Sequence, residues 1–122
     1  MNDKGGVRME ISWTPYARDY FKDEEKNDFK AMIEKKIPTF IENNYYRIKP
    51  VHQLEKEPYR VFELRMHVGK KDYRVAFAEK NQRHIVCYVS TSLQKERFEK
   101  EIKKWVHRNP DYLEHDEIIM EG

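Results

Sequence analysis

The chain predicts an α+β fold: a small, twisted, antiparallel sheet of three to four strands, with N-terminal helices and a C-terminal helix packed on it. Three observations carry this. Residues 59–90 hold three runs of strand-like patterning separated by short turns. Two flanking stretches, 14–44 and roughly 93–108, repeat apolar residues at helical spacing. The 122 residues contain no internal repeat and no linker, with only 4 Gly and 5 Pro, so they form one domain. Its core spans about 8–108, and 109–122 is an acidic C-terminal extension.

The elements follow in order. Arg8 to Trp13 alternates, with Met9, Ile11 and Trp13 on one side, and reads as a strand. Thr14-Pro15 supplies a helix N-cap followed by proline at the first helical position. Tyr16, Tyr20, Phe21, Phe29, Met32, Ile33, Ile37, Phe40 and Ile41 then imply one or two helices ending near Asn43-Asn44. The acids Asp23-Glu24-Glu25 suit a second helix start, where negative charge is favoured. Pro38 is expected to kink or interrupt the second half.

From Tyr59 to Val68 the period changes to two. Val61, Glu63, Arg65 and His67 share one face, and Arg60, Phe62, Leu64, Met66 and Val68 share the other, largely apolar one. Gly69 to Asp72 is a turn, Tyr73 to Glu79 a second strand, and Lys80 to Gln82 another turn. Arg83 to Ser90 is a third strand, whose nearly continuous apolar run suggests a central position. Phe98, Ile102, Trp105 and Val106 mark the final amphipathic helix, and Pro110 stops it. Residues 111–119 add one turn or fray.

Composition excludes several classes. Charged residues make up 38% of the chain, and mean hydropathy is -1.02. No run approaches the roughly 18 apolar residues of a membrane helix, and no apolar run near the N-terminus suggests a secretory signal. The single cysteine, Cys87, forbids an intrachain disulfide framework and fits a reducing compartment. The 13% aromatic content suffices for a small core.

The formal net charge of +2 hides blocks. Residues 46–108 carry 16 Lys/Arg against 8 Asp/Glu, a net of +8. Residues 109–122 carry no Lys or Arg and 5 Asp/Glu, a net of -5. A +8 block suits a polyanion, whose binding should weaken steeply with salt. The acidic end is expected to be solvated or to fold back over basic residues.

No familiar enzyme motif is present. The five histidines are His52, His67, His84, His107 and His115, none paired at metal-ligand spacing, and no second cysteine exists. There is no Gly-rich phosphate loop and no nucleophile motif around Ser12, Ser90 or Ser92. No metal or cofactor is expected. What remains is a set of cations. Arg65 and Arg74 lie on neighbouring strands, and Lys70 and Lys71 sit at the turn between them. Lys95, Arg97, Lys100, Lys103, Lys104 and Arg108 stud the last helix. Arg offers a planar fork to phosphate and Lys a point charge. The plainer alternative pairs Arg65 and Arg74 with Glu63, Glu79 or Asp72, and leaves the helix lysines as a solvated face. A cation cluster supports metal-free RNA cleavage. A base takes the ribose 2′-OH proton, cations stabilise the phosphorane, and an acid protonates the departing 5′ oxygen.

One family fits the residues already named. Phe62-Glu-Leu-Arg65, then Tyr73-Arg-Val75 with Phe77, the hydrophobic strand 85–89 and the basic opening of an amphipathic helix together resemble the RelE/ParE toxin superfamily, in its HigB- and RelE-like branch. The opening strand ending in Trp13-Thr14, with helices after it, adds to the likeness, which covers roughly residues 8–108. The resemblance implies a cytoplasmic prokaryotic toxin of a type II toxin–antitoxin pair, wrapped by a cognate antitoxin. RelE- and HigB-like members cleave mRNA in the ribosomal (70S) A site without metal, whereas ParE-like members poison DNA gyrase. By position, Arg65 and Arg74 match the arginines that hold the scissile phosphate, and Lys95 or Arg97 matches a basic residue after the last strand. Lys70 and Lys71 match basic residues at the hairpin turn.

There are also departures from the family pattern. The histidine that some members use as general base or acid has His67 as its nearest counterpart, and the base stays unassigned. Tyr88 lies on a strand and reads as core. The aromatic-Lys-Lys element is reduced to Leu93-Gln94-Lys95.

The expected catalytic set is therefore Arg65, Arg74 and Lys95. The expected RNA-binding set is Lys70, Lys71, His67, Arg97, Lys100, Lys103 and Lys104. The expected function is a metal-independent endoribonuclease acting on ribosome-bound mRNA, with no membrane association. The alternatives are a gyrase-directed toxin of the same fold and a non-catalytic member acting by protein binding.

Overall fold

A computed structural model describes residues 10–20, 27–43, 45–51, 54 and 59–114. Among these the elements are β1 (Ile11–Trp13), α1 (Pro15–Tyr20), α2 (Asn27–Asn43), a 3-10 turn (Tyr45–Arg47), β2 (Lys49–Pro50), β3 (Arg60–Val68), β4 (Lys71–Lys80), β5 (Arg83–Ser90) and α3 (Lys95–Arg108). The architecture is α+β, as expected. The sheet is larger and mixed where three to four antiparallel strands are expected. Among the described residues it has five strands in the order β1-β5-β4-β3-β2. β1 runs parallel to β5, pairing Ile11 with His84 and Trp13 with Val86, and the other pairs are antiparallel. Among the described residues the two outer strands are short, three residues in β1 and two in β2.

Two tight turns set the long strands. The β4–β5 turn, Asn81-Gln82, has positive φ at both residues (51° and 66°), the hairpin geometry that matches sheet twist. The β3–β4 turn, Gly69-Lys70, has φ +66° at Gly69. A Cβ there would stand 2.7 Å from the Phe29 ring, so this position needs glycine for both space and backbone. The turn is shorter than the expected four residues, and Lys71 and Asp72 belong to β4.

The sheet is buried on both faces. One face packs Leu64, Met66, Val68, Tyr73, Val75, Phe77, Val86 and Val89 against Trp13, Ala17, Ile33 and Ile37. The other packs Val61, Ala76, Ala78, Ile85, Cys87 and Tyr88 against Phe98, Ile102 and Val106 of α3. The β4–β5 register shifts between Ala76 and Phe77, so Ala76 faces Tyr88 while Phe77 faces Val86. This bulge leaves Cys87 the extra residue, and Cys87 and Tyr88 both join the α3 side. Tyr88 is core, as read from the sequence.

The caps follow the local sequence. Thr14 precedes α1, and its Oγ1 accepts from the Ala17 N–H while donating to the Cys87 carbonyl. Pro38 does not interrupt α2, which continues to Asn43. Asn109 closes α3 through its backbone N–H and its Nδ2, both donating to the Trp105 carbonyl, and Pro110 follows. The packed unit runs past 108: Tyr112 and Leu113 are buried in the second core, and Lys80 Nζ donates to the Leu113 carbonyl at 2.5 Å. The expected strand start at Arg8-Met9, the helix start at Asp23-Glu24-Glu25 and the tail beyond 114 lie outside the described residues. No described helix is long and apolar enough to cross a membrane.

Candidate functional site

The hairpin β3–β4 builds the site. Register sets Arg65 opposite Arg74, His67 opposite Asp72 and Glu63 opposite Ala76. Directly opposed side chains share a face, so Glu63, Arg65, His67, Asp72 and Arg74 all lie on the α3 side of the sheet. α3 covers the lower part of that face and leaves the end bearing Arg65 and His67 open to solvent.

Two charge networks result. The inner one centres on Glu63, whose side chain is 0% exposed. Its Oε1 accepts from Arg74 Nη1 at 2.5 Å, and its Oε2 accepts from Lys95 Nζ at 2.9 Å. Lys95 also bridges Glu99 at 3.0 Å. Arg74 further donates Nε and Nη2 to the Leu93 carbonyl, with its guanidinium over the Phe98 ring. Arg74 is 14% exposed and Lys95 37%. The network balances two cations with two carboxylates, and it ties the start of α3 to the sheet. Desolvation lowers the Lys95 pKa, but the Glu63 and Glu99 bonds outweigh it and the net shift is upward.

The outer network is exposed. Arg65 Nη2 donates to Asp72 Oδ2 at 3.0 Å, and His67 Nδ1 lies 2.7 Å from Asp72 Oδ1. Arg65 is 52% exposed and His67 65%. The hydrogen bond from His67, then that from Arg65, hold the Asp72 carboxyl below its ordinary range. An ionised carboxylate only accepts, so His67 Nδ1 carries the hydrogen. In the neutral ring Nε2 is then the proton acceptor.

Not every expected residue reaches this site. Arg65, His67, Arg74 and Lys95 come together on one face; Lys70 is exposed in the turn at its open end, and Lys71, opposite Val68, is exposed on the other face. Arg97, Lys100, Lys103 and Lys104 are exposed on α3, whose buried residues are Phe98, Glu99, Ile102 and Val106. At 100° per residue these cations point away from the sheet, so the helix separates them from the hairpin arginines. The +8 block is thus divided among surfaces, and three of its 16 cations, Arg65, Arg74 and Lys95, are paired with three of its 8 acids, Asp72, Glu63 and Glu99. Glu101 adds a fourth acid on this side, accepting from Ser90 Oγ at 2.8 Å and from Ser92 Oγ.

Sequence reasoning missed Lys49. It is exposed on edge strand β2 directly opposite Glu63, so it shares the site's face. The signal was faint: a two-residue strand ending in proline has no periodicity to read. Glu99 was also passed over, although its i,i+4 spacing from Lys95 is visible in the sequence. Among the described residues, no three His, Cys, Asp or Glu side chains gather as a metal site requires.

No protein family, curated protein or solved structure matches the chain.

Proposed function

We propose that the chain is the toxin of a type II toxin–antitoxin pair with a RelE/ParE-like fold, and that it cleaves mRNA on the ribosome without a metal. The observation that carries this reading is the exposed Arg65–Asp72–His67 cluster beside Arg74. The order strand, two helices, four antiparallel strands and helix supports it further. In this reading the partners are a cognate antitoxin and ribosome-bound mRNA, and the compartment is the prokaryotic cytoplasm.

The chemistry follows from the groups present. Asp72 orients His67, whose Nε2 takes the proton from a ribose 2′-OH. The 2′ oxygen bonds to the adjacent phosphorus and the P–O5′ bond breaks. The 5′ oxygen takes its proton from solvent, to which this end of the sheet is open. Arg65 retains unused N–H donors for the phosphorane charge. Arg74 shapes the site instead, because Glu63 and Leu93 already take its donors on three nitrogens.

Expression in growing cells tests the reading. Wild-type protein should arrest growth and translation, and Arg65→Ala and His67→Ala should relieve the arrest while staying folded, since both side chains are exposed. Full toxicity of both variants would overturn the site assignment. One observation favours a second reading, a toxin or fold member that acts by binding, gyrase included. Two of the three expected catalytic cations, Arg74 and Lys95, are committed to Glu63 and Glu99. Inhibited DNA supercoiling with intact mRNA would favour that reading.

A further inference from the structure

The most exposed large apolar side chains described are Tyr45 and Tyr46, 66% and 70% exposed, side by side on the 3-10 turn after α2. Burying one tyrosine normally removes well over 100 Å² of surface from water, so leaving two adjacent rings outside forgoes a large gain. The chain leads directly from them into Arg47, Ile48 and Lys49. Arg47 and Lys49 are exposed, and Arg47 is held over the Phe40 ring, 5.3 Å from its centroid. Lys49 stands opposite Glu63, and the next carbonyl, of Pro50, accepts from Lys95 Nζ at 3.4 Å. Tyr45 lies on the α2 side of the sheet, beside Phe62 and Phe77, and the chain passes from there over the β2 edge to Lys49 on the face of the site.

We infer that Tyr45 and Tyr46 form a stacking platform for unpaired bases of single-stranded RNA, with Arg47 and Lys49 tracking the backbone over the β2 edge toward the site. Aromatic rings interleaved with cations are what such binding needs. Every base has a face to stack, and every linkage carries a negative charge. The platform rests on the proposed RNA substrate and narrows it: duplex RNA hides its base faces, so the platform selects single strands. A protein partner is the poorer fit. A partner's anchoring side chain needs a well-formed pocket, whereas the hollow beside Tyr45, lined also by Ile41, Ile48, Phe62, Phe77 and Glu79, holds only about 30 Å³. Glu79 is a nearby carboxylate, and it lies opposite Arg60.

Fluorescence anisotropy with a labelled 12-nucleotide single-stranded RNA of mixed sequence tests this on the full chain. Tyr45→Ala/Tyr46→Ala should weaken binding about tenfold or more, with the salt slope unchanged. Tyr45→Phe/Tyr46→Phe should bind like wild type, because stacking needs the ring and not the hydroxyl. Lys49→Ala should reduce the magnitude of the salt slope by roughly 0.7. Duplex RNA of equal length should bind equally to wild type and to the alanine variant. Unchanged single-strand affinity in the alanine variant overturns the platform, whatever the cleavage result, and leaves the tyrosines to a protein contact. So does a wild-type chain that does not bind the RNA. Tyrosine-dependent binding without cleavage keeps the platform and overturns the nuclease reading alone.

Discussion

Replacing Glu63 probes the centre of the site. Its carboxylate is fully buried, and it holds Arg74 at 2.5 Å and Lys95 at 2.9 Å. Glu63→Ala removes both bonds and leaves a guanidinium that is 14% exposed without its counter-charge. Breaking a buried pair from one side costs about 3–5 kcal/mol. Most of that comes from Arg74. Lys95, 37% exposed, recovers solvent and keeps Glu99, so its share is under about 1 kcal/mol. For a domain holding roughly 5–15 kcal/mol in total, the loss is large and should lower Tm by roughly 10–20 °C. Urea unfolding followed by circular dichroism measures it. Glu63→Gln, which keeps the shape and one acceptor, should lose about half as much, and Lys95→Ala about 1 kcal/mol or less. A Glu63→Ala loss below about 1 kcal/mol would refute the reasoning, because Arg74 would then have no need of its partner.

Four further outcomes are expected. Gly69→Ala should destabilise by about 1–3 kcal/mol in the same assay, because the left-handed backbone and the Phe29 ring both oppose a Cβ. Cys87 should resist alkylation in the native state and react on unfolding, since burial pushes its thiol up to about 12. The same raised pKa should cost stability as the pH rises above about 9, where only the unfolded thiol ionises. Asp72 is held below its ordinary 3.8, so its contribution is present above that pH and disappears as the pH falls through the folded value. Asp72→Asn should therefore be less stable than wild type near neutrality, and the difference should close in acid.

The hairpin was the most legible part of the chain. Period-two patterning placed β3 and β5 within a residue, and it put Glu63, Arg65 and His67 on one face because one slip would have exposed Leu64 and Met66. Parallel pairing of β1 with β5 was illegible, since its partners are about 73 residues apart and leave no local pattern. The bulge at Cys87 was hidden inside a continuous apolar run, where alternation cannot be followed. At the site, the plainer pairings of Arg65 with Asp72 and Arg74 with Glu63 are the ones formed. Lys95 and Arg97 looked equivalent in sequence, yet two residues are 200° on a helix, so one reaches Glu63 and the other faces solvent. The net charge of +2 could not reveal which cations of the basic block are paired with buried acids, as Arg74 and Lys95 are.

The chemistry of the cut ends tests the central claim most directly. Attack by the 2′-OH on the adjacent phosphate leaves a 2′,3′-cyclic phosphate on one fragment and a 5′-hydroxyl on the other. Purified chain added to a translating extract should produce such ends in the mRNA, and His67→Ala should abolish them while binding of single-stranded RNA persists. Intact mRNA with the wild-type chain, or cutting that is unchanged in His67→Ala, would contradict the account.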